Sequence, residues 1–273
     1  MSIKNTILII SIITSISLVK AQEKWVFKSE FLSKSDTVLI FKPKTYMPKE
    51  KYPLVYLLHG YSENYRQWSQ TTDLQKLSDR YKMIIVCPDG FVTWYINSPY
   101  DKGSQAEDFF FKELVPKLHT KFNIDDRNIF ISGLSMGGYG AIRYFLLHQE
   151  YFNTAGSTSG AFSLDINILT KASLSFFQTT RIINDLSRSL GSSSKEWNQY
   201  SISSLLKAYN KGNPFLIDCG TDDILYSSTL EVKKLANSLK IPITFISQPG
   251  NHNTEYWKKS IEHHFIFFKE HLK

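Results

Sequence analysis

The 273-residue sequence predicts a three-layer α/β/α domain around a mostly parallel sheet. Short runs rich in Ile, Val, Leu and Phe recur along the chain. They are apolar at successive positions instead of alternate ones, and segments with helical spacing separate them. A strand that is apolar on both faces needs cover on both faces, and a helix between consecutive strands provides it. The length suits one such domain, and 42% hydrophobic against 21% charged residues supplies a large core within a soluble surface.

The elements follow in order. Lys4 precedes a run from Thr6 to Val19 in which only Ser and Thr interrupt Ile, Leu and Val, and Lys20-Ala21-Gln22 comes next. The basic start, the apolar stretch and the small residues Val19 and Ala21 at the −3 and −1 positions predict a signal peptide over residues 1–21, cleaved before Gln22. The mature chain, 22–273, is then secreted or periplasmic. The alternative is an uncleaved anchor, but the run falls short of the ~20 residues that a spanning helix needs. No stable membrane insertion is expected after cleavage.

Imperfect alternation from Trp25 to Phe41, broken at Lys34-Ser35-Asp36 and ended by Pro43, predicts an antiparallel pair. Buried strands are predicted at Leu54 to Leu58, Met83 to Cys87, Asn128 to Ser132, Phe215 to Cys219 and Ile243 to Ser247. Helical spacing marks Gln105 to His119 despite Pro116, Tyr139 to His148, Thr229 to Leu239, and Trp257 to Leu272. Between about 163 and 212 the rhythm fails, and Ser-rich stretches separate short helical candidates. A segment this long without strands predicts a lid or cap overhanging a site. Cys87 and Cys219 end apolar runs and read as buried free thiols.

The formal charge is +7, of which the leader carries Lys4 and Lys20. The remaining lysines are scattered, without the basic stripe and interleaved aromatics of a nucleic-acid surface, so no nucleic-acid partner is expected. No His, Cys and acid cluster has metal-ligand spacing and no nucleotide fingerprint appears, so neither metal nor organic cofactor is expected.

The sharpest motif is Gly133-Leu134-Ser135-Met136-Gly137, a G-x-S-x-G followed by Gly138. It lies between a predicted strand and a predicted helix, the setting of a nucleophile elbow. A serine at the tip of that turn needs small neighbours, and the helix N-terminus behind it favours developing negative charge. Serine alone is a weak nucleophile, so a base and an orienting acid should follow in the order acid, then histidine. Asp222 and Asp223 come just after the strand Phe215 to Cys219, and either fits; Asp223 is preferred. His252 follows the strand Ile243 to Ser247 in Gln248-Pro249-Gly250-Asn251-His252. His59-Gly60-Tyr61, after the strand Leu54 to Leu58, is the loop expected to supply half of an oxyanion hole. The two backbone donors are then Tyr61 and Met136, and losing one such donor typically costs about 3 kcal/mol of transition-state stabilisation. His59 reads as a brace for that loop.

These pieces resemble the esterase D-like group of α/β-hydrolases, which includes S-formylglutathione hydrolases, tributyrin esterases, feruloyl and acetylxylan esterases and mycolyltransferases. The resemblance runs from about Tyr46 to the C-terminus. It rests on Leu57-Leu58-His59-Gly60 with Trp68, Cys87-Pro88-Asp89-Gly90, the elbow, Cys219-Gly220-Thr221-Asp222-Asp223, and Gly250-Asn251-His252 before Trp257. It implies a Ser135–His252–Asp223 triad and about eight strands, with the lid before the seventh. Cys87 would lie on the fourth strand and Cys219 on the seventh, which are not neighbours, so no disulfide is implied. The group usually has Gly-Gly-His where this chain has Gly250-Asn251-His252; Asn tolerates left-handed backbone, so the turn can survive. Hydrolysis of small-molecule or carbohydrate-linked esters is the implied activity. Trp68, Trp94 and Tyr95 are candidates for a surface that stacks on sugars or aromatic acyl groups. The alternatives are an acyltransferase of the mycolyltransferase type and a non-catalytic carbohydrate-binding relative.

Overall fold

A computed structural model describes residues 21–273. The predicted leader, apart from Ala21, lies outside them. Among the described residues no helix is long and apolar enough to cross a membrane.

The antiparallel pair predicted at the start forms: β1 (Gln22–Phe27) and β2 (Asp36–Phe41) pair from Gln22 opposite Phe41 to Phe27 opposite Asp36. Next come β3 (Tyr52–Leu58), the short helices α1 (Gln67–Thr71) and α2 (Leu74–Tyr81), and β4 (Ile84–Cys87). The helical segment around Pro116 is α3 (Ala106–Asp108), a π-helical stretch Phe109–Leu114 and α4 (Val115–Lys121). Proline lacks the N–H that would bond back one turn, and the wider π turns just before it absorb that gap. Then follow β5 (Ile124–Gly133), α5 (Met136–Leu147) and β6 (Thr154–Thr158).

Between β6 and β7 the chain forms α6 (Ile166–Phe177), α7 (Arg181–Leu190), α8 (Ser194–Trp197), a 3-10 turn and α9 (Ile202–Leu206). The chain ends with β7 (Phe215–Gly220), α10 (Tyr226–Ser238), β8 (Ile243–Gln248) and α11 (Thr254–Glu270). The eight strands form one sheet in the order β1-β2-β4-β3-β5-β6-β7-β8, with β2 antiparallel to both its neighbours and the rest parallel.

Alternation along β3 explains the two layers of helices. Leu54, Tyr56 and Leu58 join a core with α4, α5 and α10, whereas Val55 and Leu57 join one with α1, α2 and α11. Cys87 on β4 and Cys219 on β7 are both buried and unpaired, with β3, β5 and β6 between their strands. The parallel register brings the C-terminal ends of the strands to one edge: Leu58 is level with Gly133, and Gly220 with Gln248.

β6 was not foreseen. Its sequence, Thr-Ala-Gly-Ser-Thr, has no bulky apolar residue, yet all five positions are buried. Small residues are required because α11 packs directly on the strand; a Cβ on Gly156 would lie 2.3 Å from His264 Nδ1. His264 in turn belongs to a polar network in which Ser132, Asp218 and His264 are each 0% exposed. Asp218 on β7 accepts from Thr158 Oγ1 at 2.8 Å and from Ser260 Oγ at 2.7 Å. His264 Nε2 lies 2.5 Å from the same carboxylate, and its Nδ1 lies 2.7 Å from Ser132 Oγ. One carboxylate therefore ties β6 to β7 and α11, and through His264 to β5. Buried polar groups that lose their partner keep the full cost of desolvation. Asp218→Ala should lower unfolding stability by about 3 kcal/mol in urea titration, the range seen when one side of a buried pair is removed; a loss under about 1 kcal/mol would show that the network is not holding the layers together.

A second buried acid makes a pH prediction. Asp36 opens β2 at 0% exposure, and burial, reinforced by the charge of Asp89, pushes its carboxyl up to about 9. An acid with a raised folded-state pKa binds a proton in the fold where the open chain has released it, so stability falls as pH rises between about 4 and 9. Asp36→Asn cannot ionise, so chemical denaturation should show it more stable than wild type by at least about 1 kcal/mol at pH 8 and little changed at pH 4. An equal effect at both pH values would contradict a protonated Asp36.

Candidate active site

The elbow forms where β5 passes into α5. Ser135 sits between them at φ 53° and ψ −118°, a conformation that side-chain-bearing residues rarely adopt. Tight packing holds it there. A Cβ on Gly133 would lie 2.2 Å from Gly137 O, and one on Gly137 would lie 2.2 Å from Leu58 O, so neither position has room for a side chain. The turn is pinned by Ser135 N–H to Thr158 O at 3.0 Å and by Ala161 N–H to Ser135 O at 3.1 Å.

Asp223 and His252 reach Ser135 from the two neighbouring strand ends. His252 Nε2 is 2.9 Å from Ser135 Oγ, and Nδ1 is 2.9 and 3.1 Å from the Asp223 oxygens. A carboxylate only accepts, so Nδ1–H donates to Asp223, which leaves the Nε2 lone pair facing the serine hydroxyl. Asp223 also accepts from Leu225 N–H at 2.8 Å. Burial alone would raise its carboxyl, but the hydrogen bond and charge of His252, with Leu225 N–H and the Ser159 hydroxyl, outweigh that and hold it below the usual carboxylate range. Asp222, the alternative acid, is exposed.

The imidazole is clamped on two sides. Phe176 of α6 stacks on its face at 4.7 Å and 24°, and Trp257 of α11 stands perpendicular to it at 5.1 Å. In the turn before His252, Gly250 approaches closely: a Cβ there would lie 2.3 Å from the Tyr256 ring. Asn251 has no positive φ, so the left-handed latitude invoked for it is not used.

Among the described residues, the N–H groups of Tyr61 and Met136 have no protein acceptor, and both residues line the cavity at Ser135. The loop carrying Tyr61 is braced from beneath. Gly60 N–H donates to Gln67 Oε1 at 2.7 Å, and Trp68 Nε1 donates to Leu58 O at 2.9 Å. His59 Nε2 accepts from Gly90 N–H at 2.7 Å, so Nδ1–H donates to Gly60 O at 2.8 Å. Tyr95 hydroxyl donates to His59 O at 3.0 Å.

These bonds correct one sequence expectation. Trp68 and Tyr95 are 1% and 2% exposed, and their polar atoms are engaged under the loop, so neither can stack on a ligand. Trp94 lines the cavity, but at 2% exposure it is wall, not platform.

The cavity is about 230 Å³ and is largely apolar, with Leu169, Ala172, Phe176 and Phe177 of α6 and Ile182 of α7 facing Ser135 and His252. Sequence reasoning missed these lining residues, although Leu169, Ala172 and Phe176 recur at helical spacing and could have marked a buried face. Nothing in the sequence signals Gln67, because an exposed-type residue becomes a brace only through the loop above it. Among the described residues no three His, Cys, Asp or Glu side chains gather as a metal site.

Comparison with known proteins places the chain in a family. The family model described as "Putative esterase" matches residues 29–268. The acetyl esterase of Caldicellulosiruptor saccharolyticus is 29% identical over 254 residues, covering 88% of this chain and 94% of that protein. An S-formylglutathione hydrolase of Arabidopsis thaliana is 24% identical over 275 residues, covering 86% and 89%. A solved ferulic acid esterase superposes with a TM-score of 0.76 at 23% identity over 92% of this chain and 98% of its own, a likeness of fold. With most of its length inside the family model and its sheet shared with such structures, the chain belongs to the esterase family, in the esterase D-like group of α/β-hydrolases, and is an enzyme acting on carboxylic ester bonds.

Proposed function

We propose that the chain is a secreted serine carboxylesterase that transfers the acyl group of an ester to water through Ser135, His252 and Asp223. The observation that carries this reading is the 2.9 Å approach of His252 Nε2 to Ser135 Oγ, with Nδ1 held by Asp223. His252 takes the hydroxyl proton as Ser135 Oγ attacks the ester carbonyl. The tetrahedral oxyanion is bound by the N–H groups of Tyr61 and Met136, which are free and fixed in advance. The intermediate collapses, the alcohol leaves with the proton from His252, and an acyl-serine remains. Water then attacks with His252 again as base, releasing the acid and restoring Ser135. Asp223 stays ionised throughout and compensates the imidazolium.

The apolar cavity beside Ser135 suits an acyl group, and acetyl or feruloyl esters of carbohydrates and simple short-chain esters all carry such a group. The predicted leader at residues 1–21 supports export to the periplasm or medium, where such substrates lie. We read α6 and α7 as the lid over the site, because they supply most of the apolar wall.

The test is hydrolysis of a panel of acetyl, butyryl and feruloyl esters by wild type and Ser135→Ala. The variant should lose at least about 10⁴-fold in kcat on every substrate that wild type cleaves; equal rates would reject the mechanism. Phe176→Ala should cost about 0.5–1 kcal/mol through the lost aromatic face on the imidazolium, roughly a two- to five-fold fall in kcat/KM. Phe176→Tyr should restore the rate, and an unaffected alanine variant would show that the stacked ring plays no part in turnover.

A further inference from the structure

Ser159 has no step in the mechanism above, yet it adjoins the elbow, the acid and the aromatic clamp on the base. It follows β6, is 0% exposed and holds φ 50°, in the left-handed region that glycine enters freely and other residues enter at a cost. A glycine is not used there, although Gly160 comes next. A side chain kept where the backbone favours none calls for a reason in the side chain itself.

The backbone around Ser159 is locked to the elbow. Thr158 O, just before it, accepts Ser135 N–H at 3.0 Å, and Ala161 N–H, just after it, donates to Ser135 O at 3.1 Å. Ser159 N–H donates to Asp218 O of β7 at 2.9 Å. Its hydroxyl is thereby fixed relative to the nucleophile. Oγ accepts from Trp257 Nε1–H at 3.2 Å, and its own O–H is directed to Asp223, where it helps to hold the carboxylate ionised. A hydroxyl can accept on one side while donating on the other, so it bridges an indole that only donates and a carboxylate that only accepts.

Both partners hold His252. Asp223 takes its Nδ1 edge at 2.9 and 3.1 Å, and the Trp257 ring stands perpendicular to the imidazole at 5.1 Å. The contacts close a ring that runs from Ser159 to Asp223, His252, Trp257 and back to Ser159. The hydrogen bonds to Asp223 alone leave the imidazole free to rock about its Nδ1 edge. A neighbouring ring stops that motion only if it is itself fixed, and the Ser159 oxygen fixes the indole.

We propose that Ser159 is a positioning residue for the base: its hydroxyl sets the Trp257 indole and the Asp223 carboxylate relative to the elbow, and so keeps His252 Nε2 on the Ser135 hydroxyl. The proposal rests on the triad reading of Ser135, His252 and Asp223. Ser159 is fully buried and does not line the cavity, so its loss appears in kcat and not in KM.

The experiment measures kcat and KM on 4-nitrophenyl acetate, and the urea unfolding midpoint, for wild type, Ser159→Gly, Ser159→Ala, Trp257→Phe and the Ser159→Gly/Trp257→Phe double variant. Glycine relieves the backbone and alanine does not, whereas both remove the hydroxyl. The glycine variant should therefore unfold at higher urea than the alanine variant. Both should nevertheless lose about ten-fold in kcat, less than the roughly 10²-fold that a 1 Å misplacement costs, with KM within about two-fold of wild type. A glycine variant as active as wild type, with kcat following the unfolding midpoint, overturns the proposal and leaves Ser159 a structural residue; so does a loss confined to KM. Trp257→Phe keeps an aromatic ring and drops the N–H, so Ser159→Gly should cost less kcat in that background than in wild type. Full multiplication of the two losses overturns the link through the indole. Activity that survives Ser135→Ala sinks the triad reading, whereas Ser135-dependent activity indifferent to both Ser159 variants sinks the positioning role alone.

Discussion

The structure depends on one close approach. At the C-terminal edge of the sheet β3, β5 and the first turn of α5 come so near that Gly133 and Gly137 leave no space for a Cβ against Gly137 O and Leu58 O. This packing forces Ser135 to φ 53° and lifts its Oγ out of the sheet. The same turn aims Met136 N–H at the space beside that oxygen and holds the loop of Tyr61 alongside. The proposed nucleophile and oxyanion donors are thus products of one backbone constraint, and the strain at Ser135 is maintained by the packed layers around it.

The rest of the site is a set of supports fitted to that edge. Asp223 follows β7 and His252 follows β8, so the parallel register carries the proposed acid and base to the level of the elbow before any side chain makes contact. The Tyr61 loop has no regular structure, and it is held instead by Gln67, Trp68, His59 and Tyr95, each bonded to its backbone or to the strand end below it. Preorganised donors of this kind avoid the reorganisation that water would require during reaction. Phe176 links α6 to the imidazole itself, so the position of that helix and the orientation of the base are coupled.

Sequence patterns revealed what local chemistry dictates. The strands rich in Ile, Val, Leu and Phe, the glycines of the elbow, and the acid and histidine just beyond strand ends could all be read because each carries its signal within a few residues. β6 could not, because its pattern is imposed by α11 from more than a hundred residues away: where His264 packs against Gly156, bulk is forbidden and small residues replace the apolar run. The same limit explains Trp68 and Tyr95. As exposed aromatics they would make a stacking surface, but Leu58 O and His59 O lie where their polar atoms can bond, and only the tertiary structure reveals that. The wall formed by α6 and α7 was legible as an interruption of the strand rhythm, while the residues facing Ser135 required the helices to be placed.

The buried trio of Ser132, His264 and Asp218 has a wider consequence. It contains the same three residue types as the proposed catalytic trio, linked at comparable separations on the same sheet but through the opposite ring nitrogens, with Nδ1 towards the hydroxyl and Nε2 towards the carboxylate. The two differ in who can visit them. A substrate cannot approach a hydroxyl sealed between strands and helix, and the chemistry that activates a nucleophile at the rim serves only as mortar in the interior. Composition and spacing nominate a reactive centre, and a route from solvent elects it.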